Sequence, residues 1–184
     1  MKISLEEKRV MLQIARDSIA SIFDRNFQTK SDFTEIPILE TEKGAFITLT
    51  KNHKLRGCIG YIISNMPLHQ TIEEAAKQAA IEDPRFPQLT KEESTQIEIE
   101  ISILSEPFPM VNYDNIIVGT HGLILSEHGQ RGLLLPQVPI EHNMNKDEYL
   151  SSLCVKAGFH SSFWKERTLN IDMFTANVFS EEDL

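Results

Sequence analysis

The chain has 184 residues, 41% hydrophobic and 24% charged, with 18 Lys and Arg against 27 Asp and Glu for a formal charge of −9. That size and balance suit one globular domain with one or two lobes and exclude a disordered chain or a disulfide-stapled miniature. The acidic excess, with no dense basic run, argues against broad DNA or RNA binding, although a small patch can still hold one phosphate or carboxylate. No apolar run approaches the roughly 20 residues that span a bilayer. The N-terminal stretch has no signal-peptide pattern. Two cysteines without framework spacing suit a reducing compartment, so the expectation is a soluble cytoplasmic protein with no membrane partner.

In chain order, Ser4-Leu5-Glu6-Glu7 reads as a capping box. Val10, Met11, Ile14, Ser18, Ile19, Ile22 and Phe23 then predict a helix over about residues 4–26 with one apolar stripe. Residues 27–37 read as a polar connector. Ala45 to Thr50 is a β-branched, aromatic run that predicts a strand, and Lys51-Asn52-His53-Lys54 a polar turn. A second strand is expected from Leu55 to Ile63, so the two form a hairpin with Leu55-Arg56-Gly57-Cys58-Ile59-Gly60 at its turn-to-strand junction. After Pro67 and Leu68, the small face of Ile72, Ala75, Ala76, Ala79 and Ala80 predicts a helix that approaches its neighbours closely. It must stop before Asp83-Pro84-Arg85-Phe86-Pro87, because proline pushes its predecessor out of the helical region. Thr90 and Glu93 form a second capping box.

Ile97, Ile99, Ile101 and Ile103 alternate with Glu98, Glu100 and Ser102, which predicts a strand with one buried face. From Ile116, two apolar runs separated by Ser126-Glu127-His128-Gly129-Gln130 read as a hairpin with a loop of about five residues. Asn145 and Glu148 cap a helix running to Lys156-Ala157, with Gly158 just beyond its end. Met173 to Phe179 alternates as a last strand. Hairpins outnumber helical crossovers, so the expected class is α+β with antiparallel sheet.

The chemistry centres on Cys58. A nearby cation such as Arg56 lowers a thiol's pKa, and residues 56 and 58 share a face on a regular strand, though Gly57 puts that regularity in question. The alternative is that Cys58 is a small buried hydrophobe. Gly57 and Gly60 do not match a phosphate loop in spacing, and no helix follows them; they fit an unusual backbone angle or the close approach of another segment better. Asp83 and Arg85 form either an anion clamp or a structural pair at a proline turn. Glu98 and Glu100 are either acid–base partners, metal ligands or an exposed strand face. No local motif names a metal or a cofactor.

Six blocks together resemble the AMMECR domain family: Leu55–Gly60 (L-R-G-C-I-G), Asp83–Pro87 (D-P-R-F-P), Ile99–Leu104 (I-E-I-S-I-L), Val118–Gly122 (V-G-T-H-G), Leu134–Val138 (L-L-P-Q-V) and Lys156–Gly158 (K-A-G). Gln88 and Met144 depart from the residues common in that family. The resemblance implies one domain of two antiparallel-sheet subdomains, the larger holding both termini, with the L-R-G-C-I-G block facing a groove between them. It implies Memo-like and radical S-adenosylmethionine proteins as partners. It makes His121, inside V-G-T-H-G, the best general-base candidate for Cys58, ahead of the local His53. The functional expectation is a small anionic ligand bound or transformed by Cys58 and His121 with Arg56, Gly57, Gly60, Asp83 and Arg85. The alternative is a non-catalytic adaptor that binds protein or RNA with the same surface.

Overall fold

The computed structural model describes residues 3–24, 26–27 and 36–183. Most of the connector expected over residues 27–37 therefore lies outside the described residues, as does residue 25 near the expected end of the first helix. The chain divides into two compact units, Met1–Leu104 with Asn177–Leu184, and Ser105–Ala176.

In the first unit, helix α1 (Leu5–Phe23) opens on the predicted capping box, with Ser4 and Glu7 each accepting the other's backbone amide. It stops at Phe23, short of the expected residue 26, because Asp24 is extended and its carboxylate accepts the Asn26 amide at 2.9 Å. That side-chain turn competes with another helical step. A 3₁₀ turn (Pro37–Glu40) precedes strand β1 (Ala45–Lys51), which pairs antiparallel with β2 (Lys54–Tyr61). The turn between them is two residues, Asn52 and His53, both left-handed at φ +52° and +57°, the geometry whose twist matches that of the flanking strands.

Helix α2 (Leu68–Ile81) packs across β1 and β2 and against α1. Ala75, Ala76, Ala79 and Ala80 are all buried in that seam. The short helix α3 (Lys91–Ser94) has the predicted Thr90–Glu93 capping box. Strand β3 (Glu98–Leu104) pairs antiparallel with the other side of β1, so β1 is central and β2 is an edge. Ala45, Ile47, Leu49, Ile99, Ile101 and Ile103 face the helices and form the core with Met11, Ile14, Leu39 and Ile72. A final 3₁₀ turn (Glu181–Asp183) is tied to β3, since Glu181 accepts the Ile99 amide at 2.9 Å. It is also tied to α1, through the Arg16 guanidinium.

The second unit contains β4 (Phe108–Pro109), β5 (His121–Glu127), β6 (Gln130–Leu134), α4 (Val138–Glu141), α5 (Lys146–Lys156) and most of β7 (Ile171–Ser180). Strand β5 lies between β6 and β7, and β4 pairs with the far side of β7. The β5–β6 loop is a two-residue turn, His128-Gly129 at φ +49° and +76°, shorter than expected because Glu127 and Gln130 still pair. The chain before His121 turns instead of extending: the amides of Thr120 and His121 both bond to the Ile117 carbonyl. Leu123, Leu125, Leu150, Leu153, Cys154 and Met173 surround the fully buried Tyr149, whose hydroxyl lies 3.2 Å from each of the His121, Leu134 and Leu135 carbonyls. The fold is α+β, and the pairings of β1 with β2 and β3, of β5 with β6 and β7, and of β4 with β7 are antiparallel. Among the described residues no helix is long and apolar enough to cross a membrane.

Candidate functional site

The L-R-G-C-I-G stretch occupies β2, and its register decides what Cys58 can do. Lys51 pairs with Lys54 and Thr50 with Leu55, but Leu49 then pairs with Gly57, so Arg56 is an extra residue, a bulge. Beyond it Thr48 faces Cys58 and Phe46 faces Gly60. A one-residue insertion moves every later side chain to the opposite face. Gly57 is thereby turned under α2, where an added Cβ would stand 2.2 Å from the Ala79 carbonyl oxygen. Cys58 takes the face turned away from α1 and α2, half-buried, with the Thr48 hydroxyl donating toward its Sγ at 3.5 Å. Thr48 also pairs with Glu100 of β3, so Cys58, Thr48 and Glu100 form one row across that face. Gly60 has the same face covered by Phe46, whose ring a Cβ would strike at 2.5 Å.

As an edge residue, Cys58 has a backbone amide and carbonyl with no strand to receive them, and the D-P-R turn serves instead. Asp83 Oδ2 accepts the Cys58 N–H at 2.8 Å, and Arg85 Nη2 donates to the Cys58 carbonyl at 3.3 Å. Arg85 grips Asp83 with a forked pair, Nε to Oδ1 at 2.9 Å and Nη2 to Oδ2 at 2.7 Å, while its own amide bonds Oδ1. The Arg85 hydrogen bonds hold the Asp83 carboxyl well below its usual range, against the opposing effect of burial, and the Cys58 N–H adds to them. Asp83 in turn, by hydrogen bond first and then by charge, raises the pKa of the guanidinium, and the Cys58 side chain acts in the same direction. Asp83 is 2% exposed at its side chain and Arg85 54%, so the pair presents one buried and one open member. Arg85 Nη1 makes no hydrogen bond among the described residues.

Arg56 goes elsewhere. Its Nη2 bonds Glu93 at 2.9 Å, Glu93 also takes Lys51 Nζ at 3.1 Å, and only 12% of the Arg56 side chain is exposed. These cations, Arg56 before Lys51, lower the Glu93 pKa to about 2. His121 begins β5 in the second unit. Its Nδ1 accepts the Ile117 amide at 3.2 Å, Nε2 makes no hydrogen bond among the described residues, and its ring stands edge-on to Phe108 at 5.8 Å. The structure thus gathers Cys58, Asp83 and Arg85 at one point, gives Arg56 to Glu93, and places Gly57 and Gly60 on opposite faces of β2. Thr48 and Glu93 were not singled out for this site by the sequence. The β1–β2 hairpin would have pointed to Thr48 only with the bulge known.

The model of the family described as AMMECR1 matches residues 12–179. A protein of Methanococcus aeolicus is 40% identical over an alignment of 188 residues, covering 98% of this chain and 94% of that protein. Protein MJ0810 of Methanocaldococcus jannaschii is 37% identical over 97% of this chain and 92% of its own length. The crystal structure of the uncharacterized protein PH0010 from Pyrococcus horikoshii is similar with a TM-score of 0.90 at 32% identity, covering 99% of this chain and 95% of that one. On a family match across nearly its whole length, this chain belongs to the AMMECR1 family.

Proposed function

We propose that this protein binds a small anionic ligand at Arg85 beside Cys58, on the edge of β2. The observation that carries the reading is the asymmetry of the D-P-R latch. Asp83 is buried and fixes the guanidinium, whereas the Arg85 side chain is half-exposed, with no hydrogen bond at Nη1 among the described residues, next to a half-buried thiol. A planar guanidinium held rigid through Nε and Nη2 offers Nη1 to a carboxylate or phosphate oxygen without further ordering cost. Cysteine is the side chain at this point that can act as a nucleophile. In the catalytic form of the proposal Cys58 is the nucleophile and His121 the base, and Memo-like and radical S-adenosylmethionine proteins are the partners that the family resemblance implies.

The test is alkylation of native protein by iodoacetamide, followed by peptide mass analysis. Cys58 is expected to react while buried Cys154 does not, inorganic phosphate to slow the reaction at Cys58, and Arg85→Ala to remove that protection. Equal inertness of both cysteines, or phosphate without effect at millimolar concentration, overturns the proposal. A second reading, a non-catalytic binding module, is favoured by one fact: Arg56, the cation nearest in sequence, is already taken up by Glu93. Reactive Cys58 without any phosphate protection would favour it.

A further inference from the structure

Three side chains that the site above does not use meet at the end of the same sheet. His53 in the β1–β2 turn, Glu98 at the start of β3 and Glu182 in the final 3₁₀ turn bring one potential ligand atom each to within 4.8 Å of one another. His53 Nδ1 and Glu182 Oε1 are 3.8 Å apart. We propose that His53, Glu98 and Glu182 bind a divalent transition-metal ion.

Three observations support the site. Its ligands come from three separate segments, each fixed by its own contacts: the two-residue hairpin turn holds His53 at φ +57°, the β1 ladder holds Glu98 opposite Thr50, and the bond from the Ile99 amide to Glu181 sets Glu182 beside Glu98. The charge is unbalanced as well. Two carboxylates converge, and among the described residues neither forms an ion pair with a lysine or arginine; the basic group of the cluster is His53. The separations also suit closure. A tetrahedral ion with bonds of about 2.0–2.2 Å puts its ligand atoms about 3.4 Å apart. The cluster reaches this by rotating side chains that have room to move, His53 being 82% and Glu182 56% exposed. One imidazole with two carboxylates suits zinc, manganese or cobalt better than calcium or magnesium, which take all-oxygen sets. Three protein ligands leave a coordination position for water or a substrate atom. Glu98 lies on the same sheet face as Glu100, and so one row, about 7 Å along the strand, from the row of Cys58.

The experiment is calorimetric titration of the untagged, chelator-treated full chain with ZnCl2, with CoCl2 as a spectroscopic probe. One equivalent is expected to bind, and His53→Ala and Glu98→Gln each to weaken binding by at least about tenfold, because metal affinity follows ligand count. Zinc should raise the Tm of the parent protein more than that of His53→Ala. Cys58→Ser should bind as the parent does. No stoichiometric binding up to about 100 µM zinc, a concentration far above the dissociation constants of built zinc sites, overturns the proposal. Parent-like affinity in His53→Ala and Glu98→Gln, or loss of binding in Cys58→Ser, does so as well.

Discussion

Replacing Asp83 tests the latch on β2 directly. Asp83→Ala removes the acceptor of the Cys58 amide at 2.8 Å and both prongs of the Arg85 fork. Hydrogen bonds to charged groups contribute about 1.5–3 kcal/mol each, and a fully buried pair broken on one side costs about 3–5 kcal/mol. Arg85, however, is 54% exposed at its side chain and rehydrates when released, so most of the loss falls on the Cys58 amide and on the ordering of the turn. We expect destabilisation of about 2–3 kcal/mol, which in a chain of this size lowers Tm by about 5–10 °C. The pH dependence supplies an independent check. The folded-state pKa of Asp83 lies below its ordinary 3.8. Its contribution is therefore complete above that ordinary value and is lost as pH falls through it toward the folded value. Asp83→Asn, which keeps the shape and cannot titrate, should accordingly be less stable than the parent at pH 7, with the gap narrowing below about pH 4. Melting curves by circular dichroism from pH 7 to pH 3 measure both. A Tm change under about 2 °C for Asp83→Ala, or a parent-to-Asn gap that does not vary with pH, would refute the reasoning.

Gly57→Ala sets a methyl group against the Ala79 carbonyl, so α2 and β2 must separate; overpacking of this kind costs about 1–3 kcal/mol, and a Tm equal to the parent's would contradict the close approach. Tyr149→Phe removes the hydroxyl that serves the His121, Leu134 and Leu135 carbonyls and should cost about 1–2 kcal/mol, read as a lower urea midpoint with an unchanged slope. Glu93 follows the same sign as Asp83: with its pKa lowered from 4.5 to about 2 by Arg56 and Lys51, it stabilises above pH 4.5 and loses that contribution as pH falls toward 2. Solvent screening limits the effect to about 1 kcal/mol, and Glu93→Gln should flatten the acid limb of the stability curve by that amount.

The legible parts of the fold were those written locally. Capping boxes at Ser4, Thr90 and Asn145 each open the helix expected of them. The alternation from Ile97 to Ile103 marks β3, and the alanine face marks α2. Losses came where a few backbone bonds outweigh side-chain pattern. The Asp24 carboxylate ends α1 early, and the pairing of Glu127 with Gln130 shortens a loop that residue types alone drew at five residues. The partner of an arginine is less legible still. Arg56 finds Glu93, which lies 37 residues further along the chain, and nothing local in either segment announces the pair.

The register of β2 shows why a thiol can be read two ways from sequence. A two-residue turn at Asn52-His53 makes Lys51 oppose Lys54, and an unbroken ladder from there would set Gly57 against Thr48 and Cys58 against Ile47. Ile47 is wholly buried on the helix side, so in that register Cys58 would be one more core residue and Gly57 an unexplained gap on the polar face. The bulge at Arg56 exchanges them. Glycine then falls where α2 leaves no space for a Cβ, and the sulfur falls opposite a hydroxyl. The same extra residue frees Arg56 from the ladder, in the segment from which it reaches Glu93. The edge exposed at Cys58 is closed from outside by Asp83 and Arg85, in the manner by which proteins protect edge strands with charge and proline. Packing and presentation of the thiol are therefore not alternatives at this position. The packing demand is met by Gly57, and meeting it is what turns Cys58 away from the core.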